Sequence, residues 1–300
     1  PEHPLTARVT VNRIWQHYFG LGLVKTSENF GVQGEMPSHP QLLDWLSTEF
    51  VAMGWDVKAM HRLIVTSAVY RQQSVASTEM LERDPENKLL ARGPRKRLSS
   101  FALRDSILFA SGLLDNRIGG PSVKPYMPPA IWSSISNAKY KQDRGAKLYR
   151  RSLYTYWRRT VPPPTMMAFN AAARETCIVR SDLTTTPLQA LTLMNNIAFV
   201  EAARHLAGRM LDADEKTPGN RITRAFRMVV SREPTQEERL LLLEDLNAYL
   251  KDFEENPESA MKLLSVGDSS AGKSFDPAEL AAYTLVANTI LNLDEAITEN

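Results

Sequence analysis

One device recurs along this chain and constrains its fold more than anything else. A small polar residue able to cap a helix stands directly before a proline, or three residues before Glu or Gln. It occurs as Ser38 with Gln41, Thr186-Pro187 with Gln189, Thr235 with Glu238, Asn256 with Pro257, and Asp276-Pro277 with Glu279. The first N–H groups of a helix have no carbonyl inside it to bond. A Ser, Thr, Asn or Asp side chain satisfies one of them, and a Glu or Gln at the third position can return the bond. Proline suits the first helical position, where its φ fits and its missing N–H is no loss. The predicted fold class is therefore mainly α.

Hydrophobic spacing agrees. Val11, Ile14, Trp15, Tyr18 and Phe19 fall at i, i+3, i+4, i+7 and i+8, one apolar stripe that Gly20 and Gly22 end. Leu42, Leu43, Leu46 and Phe50 supply the buried side of a second helix, and Met60, Leu63, Ile64 and Ser67 that of a third behind the cap Asp56. Ser99 or Ser100 can cap another, through Leu103 and Ile107 to Gly112. After Pro187, Leu188, Leu191 and Met194, with Phe199 beyond them, read as a buried side. From Gly119 to about Lys147 the pattern fails: "GGPSVKPYMPP" is turn and extended chain, "SLYTYW" is rich in strand-favouring residues and "VPPPT" is polyproline-like. The expected organisation is an N-terminal helical part over 1–118, an irregular basic-aromatic segment over 119–180 with a short β-hairpin or strands, and a C-terminal helical part over 181–300. The three can equally form a single domain.

Composition narrows function mostly by exclusion. A net charge of +2 is too mild to point to nucleic acid. No apolar run approaches the ~20 residues of a membrane span. The chain opens Pro-Glu-His-Pro, with neither Met nor a signal sequence, and reads as cut from something longer. The five histidines, His3, His17, His39, His61 and His205, form no HExxH or other close pair, so no metal site is expected. Cys177, the single cysteine, has Arg174 and Arg180 at i−3 and i+3. Positive neighbours favour a thiolate, yet nothing marks a histidine as its base, and it reads as a small buried residue. The glycines match neither GxGxxG nor the phosphate-binding P-loop. No pair of carboxylates stands out as hydrolytic. The most uneven charge runs from Lys139 to Arg159, where basic residues interleave with Tyr140, Tyr149, Tyr154, Tyr156 and Trp157 and face one acid, Asp143. Such a mixture suits stacking on a sugar or a base. The structural alternative is an edge hairpin with rings packed inward and cations left wet.

The segments "HPLTARVTVNRIWQHYFGLGLVKTSENFG", "PSHPQLLDWLSTEF", "GWDVKAMHRLIVTSAVYRQ", "GGPSVKPY", "LYRRSLYTYWRRTVPPP", "RETCIVRSDLTTTPLQALTLMNN" and "LNLDEAIT" resemble, in order and from Pro4 to nearly the last residue, a domain of unknown function abundant in Planctomycetes and related bacteria. That family typically forms the C-terminal part of large proteins in which a c-type cytochrome module and a second uncharacterised domain come first. The resemblance implies an exported polypeptide, periplasmic or at the cell surface. It implies no cofactor in this chain, haem c being held upstream, and partners among the upstream domains. It brings no catalytic residues. What it carries over is a set of signature positions: Asn12, Arg13 and Trp15; Ser38, His39 and Pro40; Asp44 and Trp45; Tyr70 and Arg71; Arg150 and Arg151; Cys177; Thr186, Pro187 and Gln189. Leu183 and Thr185 stand where the family has a basic residue and Asn, so a contact made by those side chains in relatives does not carry over.

Three readings are weighed. The first is a non-catalytic helical docking domain, contacting upstream domains or an anionic glycan. The second is a polysaccharide-acting enzyme. The third is an electron-transfer surface for the haem module. The candidate anion- or ligand-binding residues are Arg13, His39, Arg71, Arg150, Arg151, Arg174 and Arg180. A pocket lined by them favours a specific site, whereas capping and internal pairing favour the docking domain.

Overall fold

The computed structural model describes residues 3–128, 131–132, 140–180, 183–212, 214–270 and 275–299. Lys139, Ser181 and Asp182 lie outside the described residues. The fold is mainly α. The chain divides into two compact units, Pro1–Lys96 with Ile178–Arg180 and Thr298–Asn300, and Arg97–Cys177 with Ser181–Ile297. Two-residue strands, β1 (Lys96–Arg97) and β2 (Thr298–Glu299), form the one named sheet among the described residues.

In the first unit, α1 (Pro4–Phe19) packs on α2 (Pro40–Ala52), followed by α3 (Val57–Thr66) and α4 (Thr78–Arg83). Val11, Trp15, Leu43, Leu46, Phe50, Met60 and Ile64 form its core. Asn12 fixes the loop after α1: its Nδ2 donates to the Val24 carbonyl (3.0 Å) and Ser27 Oγ (3.1 Å), and its Oδ1 accepts the Val24 N–H at 2.8 Å. Gly22 passes so close that a Cβ there would lie 2.5 Å from Asn12 Nδ2. The Ser38 capping box does not form. Pro40 takes the first helical position, which makes His39 the cap, and Ser38 Oγ donates instead to the Leu23 carbonyl at 3.3 Å.

The second unit holds α5 (Ser100–Ser111), α6 (Pro164–Ala168), α7 (Pro187–Asn195), α8 (Ile197–Leu211), α9 (Pro218–Val230), α10 (Gln236–Glu255), α11 (Pro257–Leu264), α12 (Pro277–Leu291) and α13 (Asp294–Ile297). Its centre is α8 against α12. Ala202, Ala203 and Ala207 on one and Ala281, Ala282 and Ala287 on the other are fully buried, and such small residues let two helices approach closely. Helix α12 is buried on several sides, with α10 and α11 against it as well. The caps Ser99, Thr186, Thr235 and Asp276 form as their sequence spacing predicts, Thr186–Gln189 and Thr235–Glu238 as full capping boxes. Asn256 caps α11 by position only, because its side chain donates back to the Asp252 carbonyl at 3.1 Å.

The middle segment makes 3-10 turns at Gly145–Tyr149 and Ser152–Tyr154, and among its described residues the expected hairpin appears as one antiparallel bridge, Arg158 to Val161, beside parallel bridges from Asp115 to Arg150 and from Val123 to Thr155. Side chains of α5 bond further backbone groups of this stretch. Buried Arg104 donates to the carbonyls of Leu148 (2.7 Å) and Arg150 (2.9 Å), and Asp105 accepts the Ser152 N–H at 2.7 Å.

Candidate functional site

The polar side chains best placed for chemistry are engaged inside the fold. The deepest cluster surrounds Glu201 on α8, 1% exposed. Its carboxylate accepts from the hydroxyls of Tyr126 (2.8 Å), Tyr149 (2.9 Å) and Ser269 (2.7 Å), and from the N–H groups of Asp268 (2.9 Å) and Ser269 (2.8 Å). Arg204 lies 3.7 Å away and donates to the Ser269 carbonyl at 2.5 Å. Burial first, then the carboxylate, raises the Tyr126 phenol well above its ordinary pKa; burial raises Tyr149 as well, so both remain donors. His205 Nε2 meets Ser269 Oγ at 2.7 Å. A serine nucleophile needs its carboxylate behind the histidine. Here Glu201 and His205 both contact the serine, whose single proton serves one of them at a time. The cluster ties the loop at Gly267–Ser269 to α8.

A second cluster lies under α7. Arg97, 4% exposed, donates to the carbonyls of Thr184 (2.9 Å), Leu98 (2.9 Å) and Phe169 (3.1 Å) and to Asn170 Oδ1 at 2.6 Å. Gln189 joins it, donating to the Ala168 carbonyl (2.9 Å) and Asn170 Oδ1 (3.1 Å) while its Oε1 accepts the Thr186 N–H at 3.1 Å. The cation at this helix start is Arg97, and among its described bonds it meets carbonyls and an amide.

The sequence candidates separate by role. Asn12 and Trp15 are buried in the first unit, and Asp44 pairs with Arg8 at 2.7 Å. Trp45, Arg13, Arg71 and Arg180 are exposed, and His39 stands at the cap of α2 by position only, its Nδ1 3.1 Å from Ser38 Oγ. In the second unit Arg150 is buried, donating to the carbonyls of Arg117 (2.9 Å), Gly119 (2.6 Å) and Pro121 (3.2 Å), with its guanidinium 3.8 Å from the Tyr154 ring centre. Arg151 lies 3.9 Å from Asp105. Cys177 is exposed rather than buried, and the Arg174 guanidinium lies 4.5 Å from the Trp157 ring centre. The other described rings of the basic segment are engaged as well: Tyr156 by Lys124 at 5.1 Å, Tyr140 by Trp132 at 5.0 Å. They form no open row for stacking. Among the described residues no group of three or more His, Cys, Asp or Glu is placed to hold a metal, and no helix is long and apolar enough to cross a membrane.

What the surface does offer is α7. Leu188, Leu191 and Met194, expected on its buried side, are 65%, 56% and 54% exposed, and Ile197 beyond them 47%. Gln189 and Leu193, at i and i+4, face inward instead. No charged residue occurs from Leu183 to Val200. Beside the helix start lies a groove of about 260 Å³, lined by Phe101, Trp157, Ala171, Ala172, Arg174 and Leu183. The result is a firmly anchored helix with a bare apolar stripe, next to a mostly apolar groove rimmed by one arginine.

A family model described as PSD1, protein of unknown function (DUF1553), matches residues 1–246. No curated protein and no solved structure matches.

Proposed function

This chain belongs to the DUF1553 family, and we propose that it serves as a non-catalytic docking domain within a larger, exported, haem c-bearing polypeptide, with the outer stripe of α7 as its docking face. One observation carries the reading: Leu188, Leu191 and Met194 stay exposed on an uncharged helix whose opposite side is locked to Asn170 and Arg97 through Gln189, and Ile197 at the start of α8 is exposed beside them. Contiguous exposed apolar surface on a soluble domain marks an interaction site, and a rigid helix loses little entropy on docking. The occupant is an upstream domain of the same polypeptide. Hydrogen exchange on the full-length gene product tests this. Amides of 188–197 are to be more protected there than in the isolated chain, and Leu191→Lys is to remove the difference. Equal protection in both refutes the reading, as does a stripe covered by a second copy, seen as a dimer in sedimentation of the chain alone.

The groove supports a second reading, contact with an anionic glycan, because the Arg174 guanidinium over Trp157 pairs a charge with an aromatic face. A glycan array with Arg174→Ala as control decides it. Binding that survives the substitution counts against this groove.

A further inference from the structure

The first unit holds a small pocket that the docking reading does not use, formed by the end of α1 and the loops around 21–25, 35–38 and 86–90. Trp15 and Phe19, stacked with ring centres 4.1 Å apart, line it together with Leu21, Leu23 and Leu90, and Met36, 84% exposed, stands at its edge. Charges of alternating sign also line it: Lys25 pairs with Glu86 at 2.7 Å, Glu86 with Lys88 at 3.3 Å, and Lys88 with Glu35 at 3.6 Å.

The walls are built rather than left over from packing. Asp84 accepts the N–H groups of Lys88 (2.9 Å) and Leu89 (2.7 Å), Asn87 Nδ2 donates to the Arg92 carbonyl at 2.8 Å, and Gln72 Nε2 donates to the Leu90 carbonyl at 3.2 Å. These bonds hold Asn87 at φ 52° and Leu90 at φ 57°, in the left-handed region that side chains rarely adopt. Such strain persists where surroundings over-determine the backbone, and it concentrates at ligand sites.

We propose that this pocket binds a free α-amino acid with a branched aliphatic side chain. Size selects the side chain: the pocket measures about 100 Å³, less than the ~150 Å³ of a cavity that admits benzene, which suits an isobutyl or isopropyl group over an aromatic ring. The rim selects the head group. Glu35 and Glu86 offer acceptors to an ammonium, and Lys25 and Lys88 offer donors to a carboxylate, so a zwitterion satisfies both signs at once. The existing ion pairs are solvent-exposed and weakly held, which lets them re-pair around it.

The test is saturation-transfer NMR and calorimetry on the whole chain with L-leucine and L-valine, beside 4-methylpentanoate, 3-methylbutylamine and glucose. Leucine and valine methyls are to receive saturation, and the two singly charged analogues are to bind at least about tenfold more weakly, one charge-assisted hydrogen bond each being lost. Leu21→Trp, which fills the pocket from a half-buried position, is to abolish the transfer. Glu35→Gln and Lys88→Met are to weaken binding with circular dichroism and urea midpoint unchanged, which separates loss of ligand from loss of fold. The proposal is overturned by silence from both amino acids at millimolar concentration, by equal binding of the singly charged analogues, by transfer that survives Leu21→Trp, or by a glucose signal in their place.

Discussion

Replacing Glu201 by alanine removes one acceptor from five donors at once. Two of those donors, the Asp268 and Ser269 N–H groups, belong to the backbone and cannot turn away; the Asp268 N–H keeps the Tyr126 hydroxyl at 2.7 Å, so the Ser269 N–H bears the larger loss. A buried donor left without a partner costs about 1–3 kcal/mol. Arg204, 4% exposed, loses its carboxylate, and breaking a buried ion pair from one side costs about 3–5 kcal/mol. The terms overlap, since Arg204 keeps the carbonyls of Leu264 and Ser269 and the two phenols can reorient. The expected loss is therefore about 4–5 kcal/mol rather than their sum. Against a domain stability of about 5–15 kcal/mol that is close to unfolding. Urea titration followed by tryptophan fluorescence and circular dichroism measures it, with Tyr126→Phe, which removes the hydroxyl's bonds to Glu201 and to the Asp268 N–H, as the smaller comparison at about 1–2 kcal/mol. Hydrogen exchange adds a local readout, the amides of Gly267–Ser269 becoming fast. If Glu201→Ala costs no more than Tyr126→Phe, the carboxylate does not hold this loop and the account of the cluster is wrong.

Gly267→Ala attacks the same contact from the other side. Its φ is +97° and the new Cβ would lie 2.4 Å from the Glu201 carboxyl carbon, so a large destabilisation and a loosened loop are expected in the same titration. On α7 the two faces are to respond oppositely: Leu191→Lys changes stability by less than about 0.5 kcal/mol, whereas Leu193→Ala, at a 3% exposed position, costs about 2–5 kcal/mol; equal effects would mean the faces are misassigned. Thr186→Ala removes the cap and is expected to cost about 1 kcal/mol, read as a shift in urea midpoint. Burial, then neighbouring Arg204, lowers the His205 pKa. The unfolded chain then binds a proton that the folded one refuses, so stability is full above about pH 6.5 and falls as pH drops toward the folded value. His205→Gln, which cannot titrate, is to flatten that acid limb, and an unchanged slope rules His205 out as its source.

Features confined to a few neighbouring residues were legible in the sequence. The Thr186 and Thr235 boxes need only residues three apart, and both form. Ser38 shows the limit of that reasoning, because the neighbouring Pro40 decides which residue becomes the cap. In "PLQALTLMNN" leucines point to both sides of the helix, so spacing alone cannot choose the inner face. Gln189 chooses it, through Asn170 and the Ala168 carbonyl. Arg204 at i+3 is the local partner of Glu201, and it does not reveal the cluster, since the described hydrogen-bond donors of Glu201 lie 52 to 75 residues away in sequence. The basic-aromatic segment looked open because sequence does not reveal that Tyr154, Tyr156 and Trp157 each lie beneath a cation of the same unit.

Those observations bear on what such a chain can do. Catalysis asks for polar groups held in place yet free to meet a substrate. In the second unit Glu201, Arg97, Arg104 and Arg150 are held in place by bonds to their own backbone and side chains, which makes them fasteners. Fasteners of this kind fix the start of α7 and the loop before α12 without help from a binding partner. The outer leucines of α7 are exposed and contribute little to that anchoring. Leu191→Lys tests what that face is for: unchanged stability there means that it serves something other than the fold.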